Sequence, residues 1–309
     1  MRHKIRLVSA RLRHPLLIAR RAIGDARPRQ DVLRLRADVL YPNLAALVER
    51  HRASGVGLTR HELKVFSQNG EDGVIAEVLR RAGTTTRTFV EFGVESGVEG
   101  NCVFLADALG WQGIFIEGDE ALHARLAAKY AANDDVQTLR HLVTAENING
   151  ILSSGCRQRT VDILSIDIDG NDYWVWKAID AVDARVVIIE YNGTIDPRKA
   201  LVQPYQPFVG WDSTNFYGAS VAALVELGRE KGYTLVHTEL TGSNAFFVKD
   251  ELAPQFADLG PPPLRSANNW LAGRTHIPGP ASAEYLQVER SASHDQISGM
   301  PLPSSGARL

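Results

Sequence analysis

Between residues 87 and 249, short β-rich runs alternate with helix-like stretches, and the alternation ends in two runs that no helix can separate. The runs are Arg87–Phe92, Gly113–Glu117, Val136–Arg140, Val161–Asp167, Arg185–Glu190, Tyr233–Thr238 and Asn244–Lys249. Helix-like stretches Asn101–Leu109, Glu120–Ala132, Ala145–Ser153, Tyr173–Ala181 and Ala219–Lys231 lie between the first six. Such a pattern predicts an α/β fold, a mostly parallel sheet with helices on both faces. Residues 161–166 and 186–189 are apolar enough to be central strands covered on both sides. Only Glu239-Leu240-Thr241-Gly242-Ser243 joins the last two runs. Five residues cannot form a crossover, so these runs must pair as a hairpin and the seventh strand must be antiparallel to its neighbour.

The flanks differ from this middle zone, and three regions follow: 1–60, 61–250 and 251–309. The first is basic and expected to be helical, with Lys4 and ten arginines between Met1 and Arg36 against only Asp25 and Asp31. Two readings of it stay open: a solvated basic arm, or a helix lying on anionic lipid at the inner membrane face. The last region, with Pro261-Pro262-Pro263 and a Ser/Gly/Pro-rich end, is expected to be partly disordered. A net charge of −2 gives no global sign of nucleic-acid binding. Cys102 and Cys156 stand far apart without metal-ligand spacing, which fits a reducing compartment, and no apolar run approaches the ~20 residues of a membrane span. A cytoplasmic protein is expected.

In a doubly wound sheet ligands sit beyond the carboxyl ends of the strands, so the residues at those ends carry the functional reading. The first strand runs into Glu91-Phe92-Gly93-Val94-Glu95-Ser96-Gly97, where Gly93 and Gly97 allow a tight turn close to a ligand and Glu91 offers a carboxylate to a cationic group. A plain strand-to-helix turn would use glycines in the same way. Glu117, at the second strand's tip, suits ribose hydroxyls, because a carboxylate accepts both of their hydrogen bonds. Asp119 is expected to cap the next helix.

The fourth strand ends in Ser165-Ile166-Asp167-Ile168-Asp169-Gly170-Asn171-Asp172, a dense acidic cluster. Asp172 reads as a helix N-cap. Asp167 and Asp169 would point opposite ways in a regular strand and so would not chelate together. At the fifth strand's tip, Glu190 and Asn192 face the Asp169 region. Asp169, Glu190 and Asn192 could hold a hard divalent ion such as Mg²⁺, or they could hydrogen-bond substrate or one another. His141 and His237 fall in predicted strands and are not expected to be catalytic. The loop from Trp211 to Ser220 offers Asp212, Asn215 and Tyr217 to a sugar-like acceptor, or is simply the lead-in to a helix.

Three stretches together resemble the FkbM-type methyltransferases: Phe66-Ser67-Gln68-Asn69-Gly70-Glu71-Asp72-Gly73, the Glu91–Gly97 turn, and Asp162–Gly170. The resemblance spans about residues 63 to 249. It implies a Rossmann-like class I fold, a seven-stranded mostly parallel sheet closed by an antiparallel hairpin strand, with S-adenosylmethionine as cofactor. Glu91, Gly93 and Gly97 would then surround the methionine part and Glu117 bind the ribose, with Asp167 also in the cofactor site, while Ser67, Gln68 and Glu71 would help close the pocket. Glu95 stands where the family usually has Asn, and Asp169 where it usually has Glu. The activity implied is O-methylation of a sugar, glycolipid or secondary-metabolite hydroxyl, with Asp169 as base or metal ligand. Two rivals are a non-catalytic scaffold that kept the fold and an NAD-dependent oxidoreductase; the latter lacks the third glycine of G-x-G-x-x-G here.

Overall fold

The computed structural model describes residues 57–207, 211–212, 214–265 and 284–289. Of the basic N-terminal region, 1–60, residues 1–56 lie outside the described residues, as does most of the C-terminal region. Among the described residues no helix is long and apolar enough to cross a membrane.

One sheet organises the chain. Its strands are β1 (Thr88–Phe92), β2 (Gln112–Glu117), β3 (Val136–Arg140), β4 (Thr160–Ile166), β5 (Asp183–Glu190), β7 (Tyr233–Thr238) and β8 (Asn244–Lys249), in the spatial order β3-β2-β1-β4-β5-β8-β7. The first five are parallel, and β8 is antiparallel to both β5 and β7. This is the Rossmann-like α/β architecture expected, with the strand order reversing between β1 and β4. The helices are α1 (Glu71–Ala82), α2 (Val103–Asp107), α3 (Glu120–Tyr130), α4 (Ile148–Gly155), α5 (Asp172–Ala178) and α6 (Val221–Glu230).

Strand periodicity explains how both faces are covered. Phe89, Ile163, Val186 and Ile188 pack with Val74, Val78, Val103 and Leu126 of α1, α2 and α3. Their neighbours Val90, Leu164, Val187 and Ile189 pack on the opposite face with Ile148, Leu152, Trp176 and Leu224 of α4, α5 and α6. Each such aliphatic side chain contributes about 1.5–3 kcal/mol on full burial. Asp119 caps α3 by accepting from Ala121 N and Leu122 N, and Ser220 caps α6 by accepting from Ala223 N.

A charge holds the far edge of the sheet. Asp162, fully buried in β4, accepts from the backbone N–H groups of Thr85, Thr86 and Arg87 at 2.6–3.1 Å and pairs with Arg185 Nε at 3.2 Å. It ties the entry to β1 onto β4, at the end opposite the strand tips.

Two stretches beyond residue 249 join the packed structure. A 3₁₀ helix, Asp250–Leu259, buries Leu252 and Phe256 against the α1 face. Strand β9 (Leu286–Gln287) pairs antiparallel with β6 (Leu201–Val202), a short strand in the excursion between β5 and α6.

Candidate active site

The parallel register puts the tips of β1, β2, β4 and β5 on one line: Phe92 lies beside both Ile116 and Ile166, and Ile166 beside Ile189. Gly93, Glu117, Asp167 and Glu190 therefore leave the sheet at the same edge. Gly93 has a φ of +78°, and a Cβ there would lie 1.5 Å from the Asp167 carbonyl oxygen. The β1 and β4 loops cross at this point, and only glycine lets them.

Glu117, nearly buried, accepts from Glu95 N at 2.8 Å through one oxygen and from Asp119 N at 2.7 Å through the other. It thereby joins the β1 loop to the β2 loop. Each oxygen retains acceptor capacity for a ligand hydroxyl. Burial raises its pKa against the pull of these backbone bonds. The Glu95 amide is presented from a left-handed backbone, φ 53°.

Other expected cofactor residues serve the scaffold. Glu91 shares the strand edge but turns into the α1/α2 face, 3% exposed, and accepts from Asn101 N at 2.7 Å and Cys102 N at 2.9 Å. Burial lifts its pKa to about 7, opposed by those two bonds and by Ser165. Gly97 (φ +72°) sits under α3, where a Cβ would come within 2.7 Å of Leu126 Cδ1, so its freedom serves helix packing. Ser67 is buried and donates to Asp72 Oδ2, which also accepts from the amides of Val65, Phe66 and Ser67. Glu71 is fully buried and accepts from Asn69 and from Asn244 Nδ2. Of the three residues expected to close the pocket, Gln68 is the exposed one. Its loop is tied to the β1 loop through Lys64, which reaches the Gln68 carbonyl at 2.9 Å and Glu99 at 3.0 Å.

The acidic cluster differs from its reading as a regular strand. β4 ends at Ile166, and Asp169 adopts a left-handed φ of 58°. The alternation expected of a strand is broken, and Asp167, Asp169 and Glu190 each bring a carboxylate oxygen within 4.8 Å of the other two. Asp172 is the first residue of α5 rather than its N-cap, which is Asn171. Its buried carboxylate reaches back to Ile168 N at 2.8 Å and Gly170 N at 2.9 Å, holding the loop in shape. Burial raises its pKa to about 6.

Asn192 does not join the carboxylates as a ligand. It is fully buried, its Oδ1 accepts from Thr194, and its Nδ2 faces the carbonyls of Asn215 and Tyr217, each at 2.9 Å. The amide is engaged at both ends, its nitrogen by the 214–218 loop and its oxygen by Thr194.

The excursion between β5 and α6 folds over this edge. Its Gln203 and Gln206 carbonyls accept from Trp174 Nε1 and Asn171 Nδ2, both at 2.8 Å, and Tyr205 reaches the loop after β3 by accepting from Ala145 N at 3.2 Å. Tyr217 sits in the field of Glu190, Asp167 and Asp169, and its phenol is raised first by burial and then by those charges. Asp212 is exposed and turned back on Thr214 N at 2.9 Å. Asn215 contributes its carbonyl to Asn192. Of the three residues expected to meet an acceptor, Tyr217 is the one whose phenol feels the charge of the carboxylates.

Sequence reasoning missed Asp72, Asn244 and Tyr285. Asp72 and Asn244 act on backbone or partners remote in the chain, and Tyr285 lies in a Ser/Pro-rich stretch with no periodicity to flag it. His237 is buried in β7, with Nε2 at 3.0 Å from Glu62 Oε1.

No protein-family model matches the chain, and no curated protein matches it significantly. Similar solved structures include the N-terminal domain of EvdMO1 with SAH bound, 16% identical over 60% of this chain and 82% of that one, TM-score 0.40. A putative caffeoyl-CoA O-methyltransferase from Staphylococcus aureus is 15% identical over 67% and 99%, TM-score 0.43. The O-methyltransferase from Bacillus cereus in complex with SAH is 17% identical over 70% and 96%, TM-score 0.38. Similarity at this level carries no function across, and the fold assignment rests on the strand order and register of this chain's own sheet.

Proposed function

We propose that this chain is an S-adenosylmethionine-dependent methyltransferase that acts on a hydroxyl of a sugar, glycolipid or secondary metabolite. The supporting observation is convergence: the Gly93 crossing, the Glu117 carboxylate and the Asp167/Asp169/Glu190 trio share one edge of the sheet at the reversal of strand order. The resemblance in the 66–73, 91–97 and 162–170 stretches points the same way.

The donor set fits the cofactor at its ribose, since Glu117 is an acceptor-only group placed at the β2 tip. S-adenosylmethionine would supply a methyl group made electrophilic by the sulfonium. Glu117 would accept hydrogen bonds from the ribose hydroxyls, and the exposed Gly93 backbone would face the rest of the ligand. Asp169, the exposed member of the trio, would take the proton of the acceptor hydroxyl. The acceptor must be held about 3–3.5 Å from the methyl carbon. Tyr217, in the field of the trio's charges, would stand on the acceptor side.

Three carboxylates this close repel an anionic acceptor and attract a polyol or a cation. Asp167, Asp169 and Glu190 are hard oxygen donors suited to Mg²⁺, which would offset their repulsion and favour ionisation of a bound hydroxyl. Isothermal titration with S-adenosylhomocysteine tests the cofactor, and labelled S-adenosylmethionine with a panel of sugars and glycolipids, with and without EDTA, tests the transfer. Saturable S-adenosylhomocysteine binding and label transfer support the reading. NADH binding in place of S-adenosylhomocysteine overturns it, and nucleoside binding without transfer to any acceptor favours a scaffold.

A further inference from the structure

Three Asn-Gly pairs occur in the chain: Asn69-Gly70, Asn149-Gly150 and Asn192-Gly193. In such a pair the second residue has no Cβ, so its amide nitrogen can approach the asparagine side chain. The nitrogen attacks Cγ, its proton leaves with Nδ2 as ammonia, and a succinimide ring remains. Water then opens the ring at either carbonyl and leaves aspartate or isoaspartate. The reaction needs only solvent. Its rate depends on how freely the side-chain amide and the following N–H can move.

The fold restrains the three pairs unequally. Asn149 lies inside α4, where Oδ1 accepts from Asp180 N at 2.9 Å and Ala181 N at 3.0 Å and Nδ2 donates to the Ala178 carbonyl at 2.7 Å. Asn192 is fully buried, with its oxygen on Thr194 and its nitrogen on the 214–218 loop. Asn69 is half-buried in the turn before α1, and its side chain is held at one end, where Nδ2 reaches Glu71 Oε1 at 3.2 Å. Its backbone N–H donates to Glu71 Oε2 at 2.8 Å. Among the described residues no hydrogen bond engages its Oδ1 or the Gly70 N–H. Packing fixes the glycine of this pair, because a Cβ on Gly70 would lie 2.7 Å from Glu62 Cβ.

We propose that Asn69 is a self-modification site, at which the Asn-Gly pair converts to aspartate or isoaspartate in the folded protein while the other two pairs stay intact. The product changes what the turn can hold. A carboxylate takes the place of the amide that donates to Glu71 Oε1, and Glu71 is fully buried and also accepts from Asn244 Nδ2 at 2.9 Å. Two acceptors then meet where a donor met an acceptor, so the turn that Glu71 ties to β8 loosens. The site is independent of the proposed methyl transfer.

The test incubates the full chain in warm, mildly alkaline buffer and maps its peptides by mass, with the urea-unfolded chain alongside. In the folded chain Asn69 should gain the mass of an amide-to-acid conversion at least about tenfold faster than Asn149 or Asn192, whose hydrogen bonds must open first. In the unfolded chain all three should convert, and the difference should largely disappear. Asn69→Gln should abolish the gain at this position. A folded chain in which Asn69 does not convert, or converts no faster than Asn149 or Asn192, overturns the proposal. Asn69→Asp, one of the two products, should melt about 2–4 °C below Asn69→Ser, which loses the hydrogen bond without adding a carboxylate. Equal melting of these two variants would overturn the loosening of the turn.

Discussion

Asp167 and Asp169 turn their carboxylates to the same side of the cleft although they are two residues apart at the end of a strand. β4 stops at Ile166, Asp172 holds the amides of Ile168 and Gly170, and Asp169 takes the left-handed conformation with φ 58°. The loop gathers charge where a continued strand would have separated it. Holding a non-glycine residue there costs roughly 1–2 kcal/mol, a cost accepted in exchange for the placement of the carboxylate.

Asp169 is therefore the residue whose charge matters most to turnover. Asp169→Asn keeps a side chain that tolerates the left-handed region and removes the charge. It should lower methyl transfer by about 10²–10⁴-fold, the usual contribution of a positioned base, while S-adenosylhomocysteine affinity stays near wild type. Normal turnover in this variant would mean that the base lies elsewhere. Asp169→Ala adds backbone strain to the same loss and is the less clean variant.

Glu117→Ala should act on the other half of the site. It removes the acceptor for Glu95 N and Asp119 N together with the proposed ribose contact. A charge-assisted hydrogen bond is worth about 1.5–3 kcal/mol, so the S-adenosylhomocysteine dissociation constant should rise by roughly 10- to 100-fold. An unchanged constant in a calorimetric titration would remove Glu117 from the cofactor site.

Asp162→Ala strands Arg185 and three backbone donors at the buried edge of the sheet. Removing one partner of a buried pair costs about 3–5 kcal/mol, so the urea midpoint should fall steeply. A loss under about 1 kcal/mol would show that water replaces the carboxylate.

Stability should also depend on pH through the cluster beneath the β7–β8 hairpin. Burial pushes Glu62 and Glu239 up to about 8, with Glu71 adding repulsion to each, while Arg265 and the Leu240 amide pull Glu62 down and Thr241 and Ser243 pull Glu239 down. A carboxyl whose folded pKa is raised contributes stability below its unfolded value that is lost as pH rises through the folded one. His237 has the opposite sense: burial, with Arg265 beside it, drives it well below 6.5, so its contribution is present above 6.5 and lost as pH falls. Between pH 6.5 and pH 8 only the carboxyls act, and the thermal midpoint should drop across that interval. Glu62→Gln should flatten the drop. A midpoint that rises from pH 6.5 to pH 8 would contradict this account.

Glu95 occupies a left-handed position, φ 53°, with its side chain exposed and only its amide in use. Glu95→Asn, a residue that adopts this region more readily, should raise stability by about 0.5–1 kcal/mol. Thermal melting would register that as a higher midpoint.

The order of elements was determined by the sequence alone. The runs Val136–Arg140, Tyr233–Thr238 and Asn244–Lys249 coincide with β3, β7 and β8, and the five-residue link forces the hairpin. Local pattern suffices there, because side-chain period and loop length act over a few residues. Helix α1 and strands β6 and β9 went unread: α1 precedes the first strand and so falls outside the alternating series, although Val74, Ile75, Val78 and Leu79 recur at helical spacing, and β6 and β9 are two residues each. The strand ends could also be read in advance, since Glu117 and Glu190 close β2 and β5 and Gly93 follows β1 directly.

Which side chains reach the cleft was decided only in three dimensions. Glu91, Ser67, Glu71 and Asn192 lie in the right places along the chain, yet their polar atoms are committed to amides and side chains that burial brings against them. A buried polar atom must find a partner, and that partner comes from distant parts of the chain: Asn244 for Glu71, Tyr285 for Asn192. One strand's early stop and one left-handed residue likewise turned Asp167 from the opposite face to the side of Asp169. Sequence spacing says where a side chain starts; only the packed fold says which partner it meets.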